Sequence, residues 1–263
     1  MPQVLVVFFT AYAFQTLAIV KYRLPWTSLR SATVSSLGLL LLLRTNSLGW
    51  LALASALMIL SKFIFSYQGK HFFNPTNFSL AFLLLLSDQV WISPSQWGEE
   101  FLIAAWIVLL GCLVTHKALS NDISYSFLGW YLLFLFGRVA YLGQPFSVFF
   151  HQLKSGSLLL FCFFMISDPK STPNHRCGRI LFSAVVAGLA YFLKFKLYNP
   201  DALILSLFFL SPLTLLIDKV LPAKRFEWPN KLQRSETFHE ASNLFEFKSF
   251  SLPNVGFLRF LRR

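Results

Sequence analysis

Nine apolar runs follow one another along this chain with only short polar stretches between them, and that succession constrains the fold more than any other feature. The runs are Val4–Val20, Ser31–Leu43, Leu48–Phe65, Pro75–Ser87, Phe101–Thr115, Ile123–Leu142, Phe146–Ile166, Ile180–Leu193 and Ala202–Ile217. A bilayer core about 30 Å thick is crossed by roughly 20 apolar helical residues. Composition agrees: 56% of residues are hydrophobic and 13% charged, against about 25% charged in soluble domains. The expected fold class is all-α, a polytopic membrane protein with about nine transmembrane helices.

Two of the runs open in the same way. Phe73-Asn74-Pro75 precedes one, and Tyr198-Asn199-Pro200 precedes another. Proline is favoured in the first helical turn, where its missing N–H has no partner to lose, and the asparagine before it can cap. Both sites therefore predict helix starts. The similarity extends upstream: Ser35 to Asn46 and Ser155 to Pro169 each hold an apolar helix followed by a polar loop. These offsets predict an internal repeat of two units, residues 31–88 and 151–218.

The net charge of +12 reads as cytoplasmic loop chemistry and not as nucleic-acid binding. If every run spans, Lys21, Arg23, Arg30, Lys70, Lys117, Lys170, Arg176 and Arg179 share one side. The other side carries Arg44, Lys194 and Lys196, and its Asp88–Glu100 loop has no basic residue. The basic side is expected to be cytoplasmic, with the C-terminus inside and the N-terminus outside the cell's inner membrane. The two units then run in opposite directions as an inverted repeat, an arrangement that places sites where the units meet. Residues 1–218 form the expected transmembrane domain, and 219–263 a basic cytoplasmic tail ending in Phe257-Leu258-Arg259-Phe260-Leu261-Arg262-Arg263. That ending suits contact with anionic lipid. Met1-Pro2-Gln3 lacks the basic start of a cleavable signal, so the first run is expected to be retained. Cys112, Cys162 and Cys177 lack metal or redox spacing, and no catalytic constellation stands out.

Specific wording accompanies this pattern. Gly69-Lys70-His71-Phe72-Phe73-Asn74-Pro75-Thr76-Asn77-Phe78 is one segment. His151-Gln152-Leu153-Lys154-Ser155-Gly156-Ser157, then Phe163 to Pro173 and Gly178-Arg179, is another. From about Phe9 to Asp218 the chain resembles the D subunit of the Rnf electron-transport complex, in a family with the B subunit of the sodium-pumping NADH:quinone oxidoreductase. The resemblance implies a ten-helix inverted repeat similar to urea-transporter folds, membrane electron transport through flavins, and other membrane redox subunits as partners besides the lipid bilayer. The first family helix has no counterpart here, which leaves nine. The family's covalent flavin lies on a threonine of a D-x-x-S-G-A-T motif, whereas Asn121-Asp122-Ile123-Ser124-Tyr125-Ser126 has no Gly-Ala-Thr after it. A covalent flavin is not expected, and the cofactor implied is non-covalent FMN or riboflavin.

The expected cofactor-binding residues fall in three groups. Asn74, Asn77 and Asn199 mark the helix starts. His151, Lys154, Ser155 and Gly156 lie in the first part of the seventh run, and Asp168, Thr172 and Arg179 follow its far end. The asparagine amides both donate and accept, and the cations near Ser155-Gly156 suit a phosphate or carboxylate. Asp168 has a second reading, as a turn cap paired with Arg176 or Arg179. The alternative functions are a channel or carrier for a small polar solute, suggested by the opposed Asn-Pro helix starts, and a structural membrane partner.

Overall fold

The computed structural model describes residues 2–93, 101–117, 120–153, 155–224 and 226. Among the described residues eleven α-helices carry the fold: α1 (Pro2–Tyr22), α2 (Leu29–Leu42), α3 (Leu48–Ile64), α4 (Pro75–Leu86), α5 (Phe101–Lys117), α6 (Asn121–Tyr141), α7 (Phe146–Leu153), α8 (Gly156–Leu160), α9 (Arg176–Phe195), α10 (Ala202–Leu210) and α11 (Leu213–Val220). Each expected apolar run is helical. The chain is a multi-pass membrane protein: α1, α6 and α9 are long and apolar enough to cross a bilayer, and two bent pairs bring the number to five by length and composition.

Two runs expected to be continuous are broken. The run over Phe146–Ile166 divides into α7 and α8, bent by 54°, and α8 passes into a π turn at Phe161–Met165. The break falls beside Gly156, a poor helix-interior residue. The run over Ala202–Ile217 divides at Pro212 into α10 and α11, bent by 48°. A proline inside a helix lacks the N–H for its ladder bond and clashes with the preceding turn.

Short strands supplement the helices. β1 (Leu43–Thr45) pairs antiparallel with β4 (Val90–Ile92), and β2 (Ser66–Tyr67) with β3 (Lys70–His71). The second pair turns through Gln68 (φ 51°) and Gly69 (φ 81°). Two positive φ values in succession match the right-handed twist of a tight hairpin, and this turn aims Lys70 and His71 back into the protein.

The main packing joins α1 to α3, α3 to α4, α6 to α9 and α9 to α10, with α4 against α10. The last pair is antiparallel. Phe73 and Phe78, at the start of α4, lie 5.4 and 5.7 Å from Phe208, near the end of α10. At the other end, Leu203 and Ile204 share a cavity with Trp91 and Ile92, which follow α4. Helices of 12 and 9 residues reach only ~18 and ~14 Å, well short of a ~30 Å bilayer core. Close approach elsewhere depends on glycine: a Cβ at Gly111 would stand 2.6 Å from Phe163 Cβ, and one at Gly178 2.7 Å from Ile217 Cγ2.

The expected tail begins within α11, and from residue 227 onward it lies outside the described residues.

Candidate functional site

The antiparallel pair of short helices gives the molecule two distinct ends. At the start of α4, Asn74 is buried and caps the helix, its Oδ1 accepting from Asn77 N–H at 3.0 Å. Its amide Nδ2 donates to the Met165 carbonyl at 3.2 Å, 91 residues away. This tie satisfies one of the carbonyls left over where the π turn ends. Asn77, one turn on, is fully buried, and neither of its amide atoms has a hydrogen-bond partner among the described residues. Ser36 Oγ, also fully buried, is unpartnered in the same sense.

Three ion pairs close this end. Lys70, placed by its hairpin, donates to Asp218 Oδ2 at 2.7 Å, Asn174 Oδ1 at 3.0 Å and the Thr172 carbonyl at 2.5 Å. Asp218 Oδ1 also accepts from Asn174 N–H at 2.7 Å. Arg179 forks onto Asp122, with Nε at 2.9 Å from both oxygens and Nη2 at 2.6 Å from Oδ2, and Nη1 donates to the Asn174 carbonyl at 2.7 Å. His71 Nε2 meets Asp168 Oδ2 at 3.3 Å. Burial pushes the Asp168 carboxyl up, but the His71 contact and the Lys170 N–H outweigh it, so its pKa lies below the usual carboxylate value. Charges desolvated to this degree are stable only when paired and hydrogen-bonded, and each of the three carboxylates has its cation. Together the pairs join α6, α9, α11 and the β2–β3 hairpin into one layer.

The start of α10 is built differently. Asn199 is half-buried and Pro200 exposed. The Asn199 Oδ1 accepts from Asp201 N–H at 2.8 Å, and the helix begins only at Ala202. Asp201 occupies the capping position without a side-chain cap bond. Burial raises its pKa. Beside it is a cavity of about 120 Å³, lined among others by Leu42, Trp91, Ser157 and Asp201.

The expected site residues are thus divided. Asn74, Asn77, Asp168, Thr172 and Arg179 belong to the ion-paired end. Asn199 lies at the opposite end, so the two asparagines do not meet on one cavity. Ser155 Oγ lies 2.8 Å from Ser157 Oγ, which puts Ser155 and the buried Gly156 beside the cavity wall at the Asn199 end. His151 is exposed on α7, and Lys154 lies outside the described residues. Asp168 pairs with His71, not with Arg176 or Arg179. Sequence reasoning passed over Lys70, Asp122, Asn174 and Asp218; the signal present was Gln68-Gly69, a hairpin turn that fixes where Lys70 points.

A flavin fits these residues poorly. The cavity beside Asn199 is well below the ~300–1,000 Å³ of typical cofactor sites, and the polar groups around Asn74 are spent on one another, Asn77 and Ser36 excepted. Asp122, in the stretch compared with the covalent-flavin motif, is engaged by Arg179.

Residues 88–227 match the model of the NQR2, RnfD, RnfE family. The D subunit of an ion-translocating oxidoreductase complex from Tolumonas auensis is 35% identical over 68 residues, 26% of this chain and 20% of that protein. The match spans about a fifth of that relative's length. With more than half of its length matched by the family model, the chain belongs to the NQR2, RnfD, RnfE family.

Proposed function

We propose that this chain is a membrane-embedded subunit of an ion-translocating redox assembly, and that its own part is to anchor and orient partners, with no flavin held at the residues singled out above. The family match over residues 88–227 carries this reading, and the relative's name as one subunit of such a complex supports it. The paired layer supports the division of labour, since its carboxylates and cations are already committed to one another.

The two inverted units expected over residues 31–88 and 151–218 are read as extending back to the helix before each, α1 and α6. Support comes from matched packing, α1 on α3 and α6 on α9, and from matched loops, Pro25 opening the turn before α2 and Pro145 the turn before α7. The antiparallel α4–α10 pair is the seam. Nine apolar segments cross or enter the inner membrane in this reading, with the ion-paired end cytoplasmic because Lys70, Lys170, Arg176 and Arg179 gather there.

The test is purification from native membranes with a tag on this chain, followed by identification of co-purifying membrane proteins and a visible spectrum. The expected result is stoichiometric recovery of redox subunits, with flavin absorbance that leaves when those subunits are stripped away. A solitary protein that retains flavin through stripping would overturn the anchoring role, and a solitary protein without flavin would overturn membership of an assembly.

A further inference from the structure

Five acidic residues are described: Asp88, Asp122, Asp168, Asp201 and Asp218. Asp88 is exposed. Asp122, Asp168 and Asp218 are partly buried, and each faces a cation, Arg179, His71 and Lys70 respectively. Asp201 alone among these five is partly buried with no hydrogen bond or ion pair to its carboxylate from the described residues. It also lines the cavity of about 120 Å³. A partly desolvated carboxylate is costly without a counter-charge, so the occupant that complements this cavity is a cation.

The rest of the wall restricts which cation. Leu42, Ile92, Leu203 and Ile204 are apolar, Ser157 offers one hydroxyl, and Trp91 contributes an indole. A hard metal ion takes six or more oxygen ligands, and with one carboxylate and one hydroxyl in the wall nearly all of them would have to be water, which leaves the apolar and aromatic wall without a role. An organic ammonium needs fewer polar partners: its N–H groups reach a carboxylate and a hydroxyl, its carbon body meets aliphatic wall, and an aromatic face attracts its charge. A cavity of about 120 Å³, below the ~300–1,000 Å³ of drug-sized sites, suits a short alkylammonium better than a bulky one. Arg44 is opposite Trp91 in the β1–β4 ladder. Its Nη1 is held 2.8 Å from the Leu40 carbonyl, at the end of α2, and the residue is not part of the cavity wall.

We propose that the cavity between the end of α2, β4 and the start of α10 binds a small alkylammonium ion, with Asp201 as its counter-charge, Ser157 as its second polar contact and Trp91 as its aromatic wall. The site faces away from the ion-paired layer.

Calorimetric titration of the purified protein in detergent with methylammonium and ethylammonium chloride, at constant ionic strength, tests the proposal. Saturable binding is expected, with sodium chloride giving none. Asp201→Asn, which keeps the shape and removes the charge, should weaken binding roughly tenfold or more. Ile204→Trp fills the cavity and should abolish binding, and tetraethylammonium, too large for the space, should not bind. An independent thermal-melting check confirms that each variant is folded. Should Asp201→Asn not fold, Ile204→Trp and the size series still decide. The proposal is overturned if wild-type protein shows no saturation, if sodium binds as well as methylammonium, or if a folded Asp201→Asn or Ile204→Trp binds like wild type.

Discussion

The two Asn-Pro helix starts begin from the same short pattern and end in opposite environments. At Asn74 the asparagine is buried, caps its own helix and ties it to Met165, with three ion pairs close by. At Asn199 the side chain caps only the next N–H but one, the helix starts two residues later than at Asn74, and the nearby Asp201 has no cationic partner among the described residues. The dipeptide determines that a helix begins. What surrounds it decides whether the start becomes a joint between distant segments or the rim of a cavity. The difference traces to the hairpin before Asn74: Gln68-Gly69 returns Lys70 and His71 toward α11 and the loop after α8, whereas Tyr198 and Leu197 before Asn199 are exposed.

The largest expected effect comes from removing the cation at the closed end. Lys70→Met leaves Asp218 with the Asn174 N–H but no cation and takes one donor from the Thr172 carbonyl, and breaking one partner of such a pair costs about 3–5 kcal/mol. Thermal melting in detergent should show it, while Asp201→Asn at the other end, which removes a partly buried carboxylate with no described counter-charge, should not lower stability. Equal losses at both ends would remove the contrast.

Next in size are the close approaches. Gly178→Ala drives a methyl into Ile217 Cγ2, and overpacking of this kind costs about 1–3 kcal/mol. Because α9 and α11 both border the ion-paired layer, the same variant should loosen the Lys70–Asp218 contact. A melting temperature unchanged by Gly178→Ala would mean that the two helices separate freely.

The caps rank third. Asn74→Ala loses a helix cap, worth about 1 kcal/mol, together with the Met165 tie, worth about 1 kcal/mol more. Asn199→Ala, half-buried and capping a single N–H outside the helix, should lose less than half as much. The reverse order in a denaturation series would contradict the assignment of the joint to Asn74.

The smallest effect is in pH. Asp168 titrates lower in the folded protein than the unfolded value near ~3.9. Its stabilisation is therefore present above that value and disappears as pH falls through the folded pKa. Asp201 titrates higher than its unfolded value, so its contribution is present below about 3.9 and declines as pH rises through the folded pKa. Relative to wild type, Asp168→Asn should remove a stability that rises with pH below about 3.9, and Asp201→Asn one that falls with pH above about 3.9. Parallel slopes would show that the two acids share one environment.

These particulars show what could be read from residues alone. Apolar run length located the outer bounds of the nine helical segments to within a few residues, but not the breaks inside two of them, because desolvation of a long apolar segment leaves few alternatives to helix and says nothing of a local kink. Asn-Pro located both short helices, since cap chemistry is local. Pro212 carries its own warning of the bend between α10 and α11, a signal easily outweighed by the strongly apolar run around it. The pairs Lys70–Asp218 and Asp122–Arg179 were not legible: they join residues 148 and 57 positions apart, and nothing local distinguishes a lysine that snorkels from one that is buried and paired. The separation of Asn74 from Asn199 was hidden for the same reason, because the antiparallel docking of α4 on α10 depends on ring packing between Phe73, Phe78 and Phe208.

The central claim, that the two ends face opposite sides of the membrane with the ion-paired end inside, is tested most directly by thiol labelling in intact cells. Cys177 is exposed at the start of α9, and Tyr198, 84% exposed, follows the end of the same helix. With Cys112 and Cys162 replaced by serine, a membrane-impermeant maleimide should label Tyr198→Cys in intact cells and Cys177 only after permeabilisation. Labelling of both positions from the same side, or of Cys177 from outside, would contradict the account.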